Sequence, residues 1–397
     1  MKTWSNDRAQ KYPRLYQWSA VFGGLDFSRS LFLIYFASLG FSGTQSGVLQ
    51  ATLFWSSFLL ELPSGIFADK YGRKKSISIG MAGLVATFVV LATAKTFAAA
   101  ILGFVLWGGS FAFISGAGSA LLYDGLKESG RLDSHLGWLS KIRSLGTLSM
   151  GASIVAGGFM YEMLPVSVFW ASAAAAAIGF TLIWPVPEPK VHESAAQQPG
   201  TIKSLRLFFN HSKGRDLLVF LGGMAAIEMA ITPFFIFSQS LFHSQGLSEK
   251  SVSVILGGGF LISAIAQAAA VRAKNFSLMT MVTFIGLTVM LGLGSLALGP
   301  ALPLQVFIFV IVNTLPLFLF VHTDQYIQDA CDSHIRASLL SVQSFVNAVF
   351  IGISYLSIGM VSDKIGMMKT LACLGLPALA GIALIYLHFA RIRRRSR

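Results

Sequence analysis

Apolar stretches of roughly 18–25 residues recur along the whole chain, parted by short polar breaks. Each is long enough to cross a ~30 Å hydrocarbon layer as a helix. The pattern predicts spans at 18–40, 45–68, 75–94, 97–122, 137–160, 165–186, 215–241, 247–271, 277–298, 301–322, 336–360 and 367–390. They fall six and six around one longer polar stretch, Pro187 to Gly214, which carries Pro187, Pro189 and Pro199 among polar residues such as Glu188 and Lys203. That stretch is a linker whose later part, Ile202 to Phe209, suits a short surface helix. The expected fold is all-α and polytopic, with about twelve transmembrane helices in two pseudo-symmetric six-helix bundles, 1–186 and 215–397, joined by a cytoplasmic linker at 187–214. The count alone leaves other twelve-helix membrane folds open.

Composition supports a lipid-facing chain. With 54% hydrophobic and 12% charged residues and a mean hydropathy of +0.68, there are too few polar groups to cover a soluble surface. The 33 Phe suit lipid-facing surfaces, and the 39 Gly suit close helix–helix approach. The first apolar segment is too long for a signal-peptide core and lacks a small-residue cleavage site, so it is expected to stay as a helix.

The net charge of +13 does not make a nucleic-acid surface, because the basic residues sit in short clusters between spans and form no face with interleaved aromatics. Their distribution sets topology instead. With the N-terminus inside, the inner segments hold 25 Lys and Arg, while the outer ones hold only Lys95, Lys250, Lys364 and Lys369. Both termini are therefore expected in the cytoplasm. Cys331 and Cys373 stand alone, without metal or redox spacing. No nucleotide-binding loop, zinc-ligand spacing or serine-nucleophile elbow is present. The sequence predicts no enzyme, no cofactor and no metal.

Between the second and third spans the chain reads Gly65-Ile-Phe-Ala-Asp69-Lys70-Tyr-Gly72-Arg73-Lys74-Lys75. Gly65 is suited to a close helix approach and Gly72 to a tight turn. Asp69 is suited to accepting hydrogen bonds or pairing with an Arg, and the basic residues to anionic lipid. A purely topogenic basic loop would leave the Asp and both Gly without a purpose. The segment resembles the loop signature of the major facilitator superfamily at every defining position. That resemblance implies alternating-access transport, with Asp69 as a latch near the start of span 11, close to Arg336, where a helix dipole favours a carboxylate. In the family the latch forms in the outward-open state and breaks on inward opening.

Other signatures are partial. Gly359-Met-Val-Ser-Asp363-Lys364-Ile-Gly366 echoes the motif between spans 11 and 12, but it falls on the outer side and is expected to be a plain turn. The loop between spans 8 and 9 keeps only Arg272 and Lys274. Span 4 lacks the intramembrane Arg of many proton-coupled members. Span 5 runs from Gly146 through Gly151 to Gly157-Gly158, which resembles the antiporter motif without its proline. In the family this span meets span 8, which here supplies Gly257-Gly258-Gly259. The segments Glu61-Leu-Pro-Ser-Gly65 and Leu121-Leu-Tyr-Asp124 resemble bacterial drug-efflux members.

Ionisable groups at membrane depth are costly and mark function by default. Asp26 and Arg29, three apart, are expected to share a helix face and pair. Arg29 and Glu228 both fall roughly 15–20 Å from the inner ends of their helices, near the midplane. Spans 1 and 7 are symmetry partners lining the family's cavity, so the resemblance puts the two residues face to face. Glu228 is the candidate proton-coupling carboxylate. Arg29 is a candidate to neutralise Asp26, to hold Glu228 ionised or to bind an anionic substrate. The alternative is a static ion pair that only orients helices. Glu61, just before Leu62-Pro63, is expected to satisfy backbone freed by the proline or to bind another helix. Asp124 is expected to bridge to Arg143 in a gating or structural role. Gln239, Asn313, Gln343, Asn347 and Trp107 are the cavity-lining candidates, and Pro233 and Pro316 are candidate bends.

The functional expectation is a secondary active transporter, acting as a monomer in the plasma (cell inner) membrane. Its partners would be membrane lipid, protons and a small-molecule substrate. Efflux of a drug-like or metabolic compound is the first expectation. Proton-coupled uptake of a small anionic nutrient, or a non-transporting sensor or assembly factor, are the alternatives.

Overall fold

A computed structural model of the chain describes residues 6–189, 212–270, 277–329 and 333–395. The body of the expected linker, including Ile202 to Phe209, lies outside the described residues, as do Arg272 and Lys274. Among the described residues the fold is all-α and no strand occurs. The first half comprises α1 (Asn6–Gly23), α2 (Phe32–Ser38), α3 (Gly43–Tyr71), α4 (Arg73–Thr93), α5 (Phe97–Glu128), α6 (His135–Met163) and α7 (Ser167–Ile183). The second half begins with α8 (Ser212–Ser244), α9 (Glu249–Ala270), α10 (Leu278–Ser295) and α11 (Leu302–Thr314). It continues with α12 (Pro316–Asp329), α13 (Ser333–Ile365), α14 (Met367–Ala372) and α15 (Gly375–Arg395).

Nine helical stretches among the described residues are long and apolar enough to cross a membrane. The expected first span is not among them because it is cut in two: α1 stops at Gly23 and α2 starts at Phe32. α7 is apolar but has only 17 residues. α6 is not among the nine either, whereas the tenth expected span is, as Leu302–Phe320, although its helix is interrupted where α11 ends at Thr314 and Pro316 opens α12. A proline ring lacks the N–H that would continue the ladder and clashes with the carbonyl four residues back. Pro63 and Pro233 instead sit inside continuous helices.

The described chain forms two compact units. The first is Met1–Phe41, Thr52–Ser194 and Ser248–Phe260. Here α4 packs most extensively on α5 and α7, and α1 lies on α7. Its centre is an aromatic cluster in which the Phe32 ring meets Phe104 at 5.8 Å and Trp107 at 6.0 Å. Phe88 closes on Trp107 from another side at 5.5 Å. Such edge-on pairs add about 0.5–1.5 kcal/mol each beyond the area they bury.

The second unit is Ser42–Ala51, Ala195–Leu247 and Leu261–Arg397. In it α8 packs chiefly on α15 and α13, and α10 lies on α15. The α8–α15 crossing is backbone to backbone. A Cβ on Gly223 would lie 2.9 Å from the Gly381 carbonyl oxygen, and one on Gly381 would lie 2.6 Å from that of Gly223. Lipid supplies no hydrophobic force between helices, so close contact of this kind carries the packing.

Candidate functional site

The break in the first span is the most chemically loaded place in the first unit. From Gly24 to Leu31 the backbone runs through turns, so several N–H groups have no helical acceptor. Unpaired backbone at membrane depth is tolerated only where protein satisfies it, and here serine hydroxyls do so. The N–H of Asp26 donates to Ser153 Oγ at 3.2 Å and that of Phe27 to Ser172 Oγ at 3.0 Å. Ser30 shares a hydroxyl hydrogen bond of 2.8 Å with Ser253 at the start of α9. α6 presses directly on the unwound stretch: a Cβ on Gly157 would fall 2.0 Å from the Phe27 carbonyl oxygen.

This geometry corrects the expected Asp26–Arg29 pair. A spacing of three shares a face only on a helix, and these residues lie in turns. The buried Asp26 carboxylate instead accepts from Ser28, at 3.0 Å from its N–H and 2.6 Å from its hydroxyl. Arg29 turns its guanidinium over the Trp107 ring, 5.9 Å from the centroid, as a cation–π contact. Its Nε is buried and has no hydrogen-bond partner among the described residues. Trp107 is only 1% exposed and is packed in the aromatic cluster, so it contributes a face to Arg29 and no open cavity wall.

In the second unit, Glu228 of α8 and Asn347 of α13 come together, with the Asn347 amide donating to Glu228 Oε2 at 2.6 Å. Two turns on along α13, Ser354 donates to the Met229 carbonyl at 2.8 Å, so the same helix pair is tied twice. Gln239 is fully buried within this unit. Asn313 donates to its own helix at Phe309 O, 2.8 Å away. Gln343 is half-buried.

The loop after α3 behaves partly as expected. Gly72 has φ +112° at the N-cap position of α4, a backbone region that residues with a Cβ resist. The carboxylate of Glu188 takes the space a side chain would need, 2.6 Å from an ideal Cβ. It accepts from Arg73 N at 2.6 Å and Lys74 N at 3.0 Å, so a negative charge caps the positive end of α4. Lys74 Nζ donates to the Trp184 carbonyl at 2.5 Å. Arg73 pairs with Asp124.

Asp124 is therefore not paired with Arg143. α4 and α5 pack along their lengths and bring Arg73 to Asp124, whereas Arg143 lies past a separate turn and is exposed. Arg73 and Lys74 are half-buried by these contacts, and Lys75, like Lys70, is exposed. Gly65 makes no close approach among the described residues, since a Cβ there would meet nothing within 4 Å. Asp69 and Lys70 are exposed, and Asp69 accepts no hydrogen bond among the described residues. The Arg336 side chain lies outside them. Glu61 is also exposed, and the local polar bonds come from Ser64, which donates to the carbonyls of Glu61 at 3.0 Å and Ala112 at 2.9 Å.

Four residues matter here that sequence patterns do not single out: Ser153, Ser172, Ser253 and Glu188. The serines look like ordinary small residues in apolar runs. Glu188 sits between two prolines and reads as linker. The one available signal is the Gly23-Gly24 pair just before Asp26, a sign that the helix can break there.

A family model described as Major Facilitator Superfamily matches residues 19–355. Among curated proteins, the chain is 27% identical over 260 residues to the uncharacterised MFS-type transporter YxaM of Bacillus subtilis (strain 168). It is 24% identical over 251 residues to the quinolone resistance protein NorA of Staphylococcus aureus (strain MRSA252). Each match covers 62% of this chain and 62% of the relative, short of two thirds of the relatives' length. Among solved structures it is similar to the nucleoside transporter NupG, with a TM-score of 0.74 at 16% identity, covering 97% of this chain and 98% of that one. It is likewise similar to a D-xylose-proton symporter, with a TM-score of 0.72 at 12% identity, covering 94% and 96%. At such identities the likeness carries the fold, an all-α multi-pass membrane fold.

Proposed function

Since the chain belongs to the Major Facilitator Superfamily, a family of transporters and not of enzymes, we propose that it moves a small solute across the plasma membrane by proton-coupled alternating access. In this reading the two six-helix halves, 1–186 and 215–397, rock about the solute as a monomer. The linker at 187–214 and both termini lie in the cytoplasm. The observation that carries the reading is Glu228, an ionisable group in an apolar helix whose carboxylate is held by Asn347. A carboxyl group in an apolar helix gives up and regains a proton as its access to water changes, as coupling requires. Asp26, buried in unwound backbone, is the second candidate.

Efflux is the direction favoured by the likeness to a quinolone resistance protein. Uptake of an anionic solute is the second reading, favoured by Arg29, whose Nε has no described partner. Inverted membrane vesicles with an imposed proton gradient separate the two. Efflux predicts accumulation of a quinolone probe inside the vesicles, abolished in Glu228→Gln. Accumulation that ignores the gradient, or that survives Glu228→Gln unchanged, removes proton coupling through this residue.

A further inference from the structure

The motif after α3 and its echo after α13 share one spacing: Gly65, Asp69, Lys70, Gly72 against Gly359, Asp363, Lys364, Gly366. Each ends in a glycine of positive φ, +112° and +83°, at the N-cap position of the next helix. Asp363 nevertheless does more than shape a turn. Its Oδ1 accepts from Gly43 N at 2.8 Å, and its Oδ2 accepts from Thr44 N at 2.8 Å and Thr44 Oγ1 at 2.6 Å. Gly43 and Thr44 open α3, where the first N–H groups have no acceptor within the helix. A carboxylate there gains from the helix dipole and makes charge-assisted hydrogen bonds.

Every donor at this helix start is accounted for. Ser42 and Gln45 form a reciprocal capping box, with Ser42 N donating to Gln45 Oε1 at 2.9 Å and Gln45 N to Ser42 Oγ at 3.1 Å. Ser46 N already reaches the Ser42 carbonyl at 3.0 Å. Only the N–H groups of Gly43 and Thr44 remain, and Asp363 takes both. Because the helix caps itself at Ser42 and Gln45, it can lose Asp363 without unravelling. Asp363 is exposed, so water can replace it.

The helices beneath this contact meet closely, backbone to backbone at Gly47 and Gly359. A Cβ on Gly43 would fall 2.3 Å from Ser362 Oγ, one on Gly47 2.4 Å from the Tyr355 carbonyl oxygen, and one on Gly359 2.5 Å from that of Gly43. α3 itself is divided, because Ser42–Ala51 belongs to the second compact unit and the rest to the first. We propose that Asp363 is a releasable latch holding the start of α3 on the end of α13, and that its release accompanies opening of the outer end of the solute path. This rests on the alternating-access reading above and makes the echo an outer counterpart of the turn at Asp69.

The test is a pulsed electron–electron distance measurement on full-length protein in nanodiscs. Spin labels go at Lys95→Cys and Leu298→Cys in a Cys331→Ser, Cys373→Ser background. Asp363→Ala should raise the ratio of the longer-distance to the shorter-distance population about tenfold, equivalent to about 1.4 kcal/mol. Asp363→Asn should do less. Gly43→Ala, which keeps the Asp363 side chain but puts a methyl 2.6 Å from its Oδ1 and crowds the seam, should shift the ratio the same way and guards against a variant that fails to fold. Distances unchanged in folded Asp363→Ala and Gly43→Ala overturn the latch. A shift accompanied by no solute flux in any variant, wild type included, supports the latch and sinks the transport reading instead.

Discussion

The turns at Gly65–Gly72 and Gly359–Gly366 use the same residues at the same spacing yet put their carboxylates to opposite use. Asp69 is exposed and accepts nothing among the described residues, whereas Asp363 holds the first two N–H groups of α3. At the first turn the charge that caps the following helix comes from Glu188, far along the chain. At the second, the open end of α3 draws the Asp itself. The shared spacing fixes the backbone turn through the terminal glycine. What the carboxylate does is decided by whichever helix start lies within reach.

The two turns should therefore respond differently to mutation. The largest effect on stability is expected from Asp124→Asn, which leaves Arg73 of the first turn without its partner. Breaking a largely buried pair costs about 3–5 kcal/mol, read as the greatest fall in thermal unfolding temperature in detergent. Gly72→Ala should follow, since it combines a backbone region that costs about 1–3 kcal/mol with displacement of Glu188 from the α4 cap. Gly366→Ala should cost only the backbone part, because a Cβ there meets nothing within 4 Å. Equal unfolding shifts for the two glycine variants would break the contrast. Asp69→Asn should leave the unfolding temperature unmoved while slowing the transport cycle. If its cycling matched wild type, the turn at Asp69 would have no gating part.

Much of the fold is legible in the sequence because lipid imposes a length on apolar runs. The break at 24–31 is not, because hydropathy averages over a window and the polar residues of that run, Asp26, Ser28, Arg29 and Ser30, are flanked by apolar stretches. Unwinding there is made tolerable by Ser153 and Ser172, which sit over a hundred residues away and look like any small residue in a packed helix. Once the helix is broken, the three-residue spacing of Asp26 and Arg29 no longer brings their side chains into a direct ion pair. Arg29 then finds the Trp107 face and Asp26 finds Ser28. Glu228 and Asn347 are both visible as polar residues in apolar runs, but their pairing needs α8 and α13 to pack. Asp124 shows the same limit: its charge marks it as a partner-seeker, while only the α4–α5 contact decides that the partner is Arg73.

The claim on which the account turns is that Glu228 carries the coupling proton. The most direct measurement compares gradient-driven net transport with solute exchange in the same proteoliposomes, using a labelled quinolone, for wild type and Glu228→Gln. The account predicts that net transport is lost while exchange persists, because the amide still occupies the site beside Asn347 but cannot release a proton. Net transport at the wild-type rate in Glu228→Gln would contradict it.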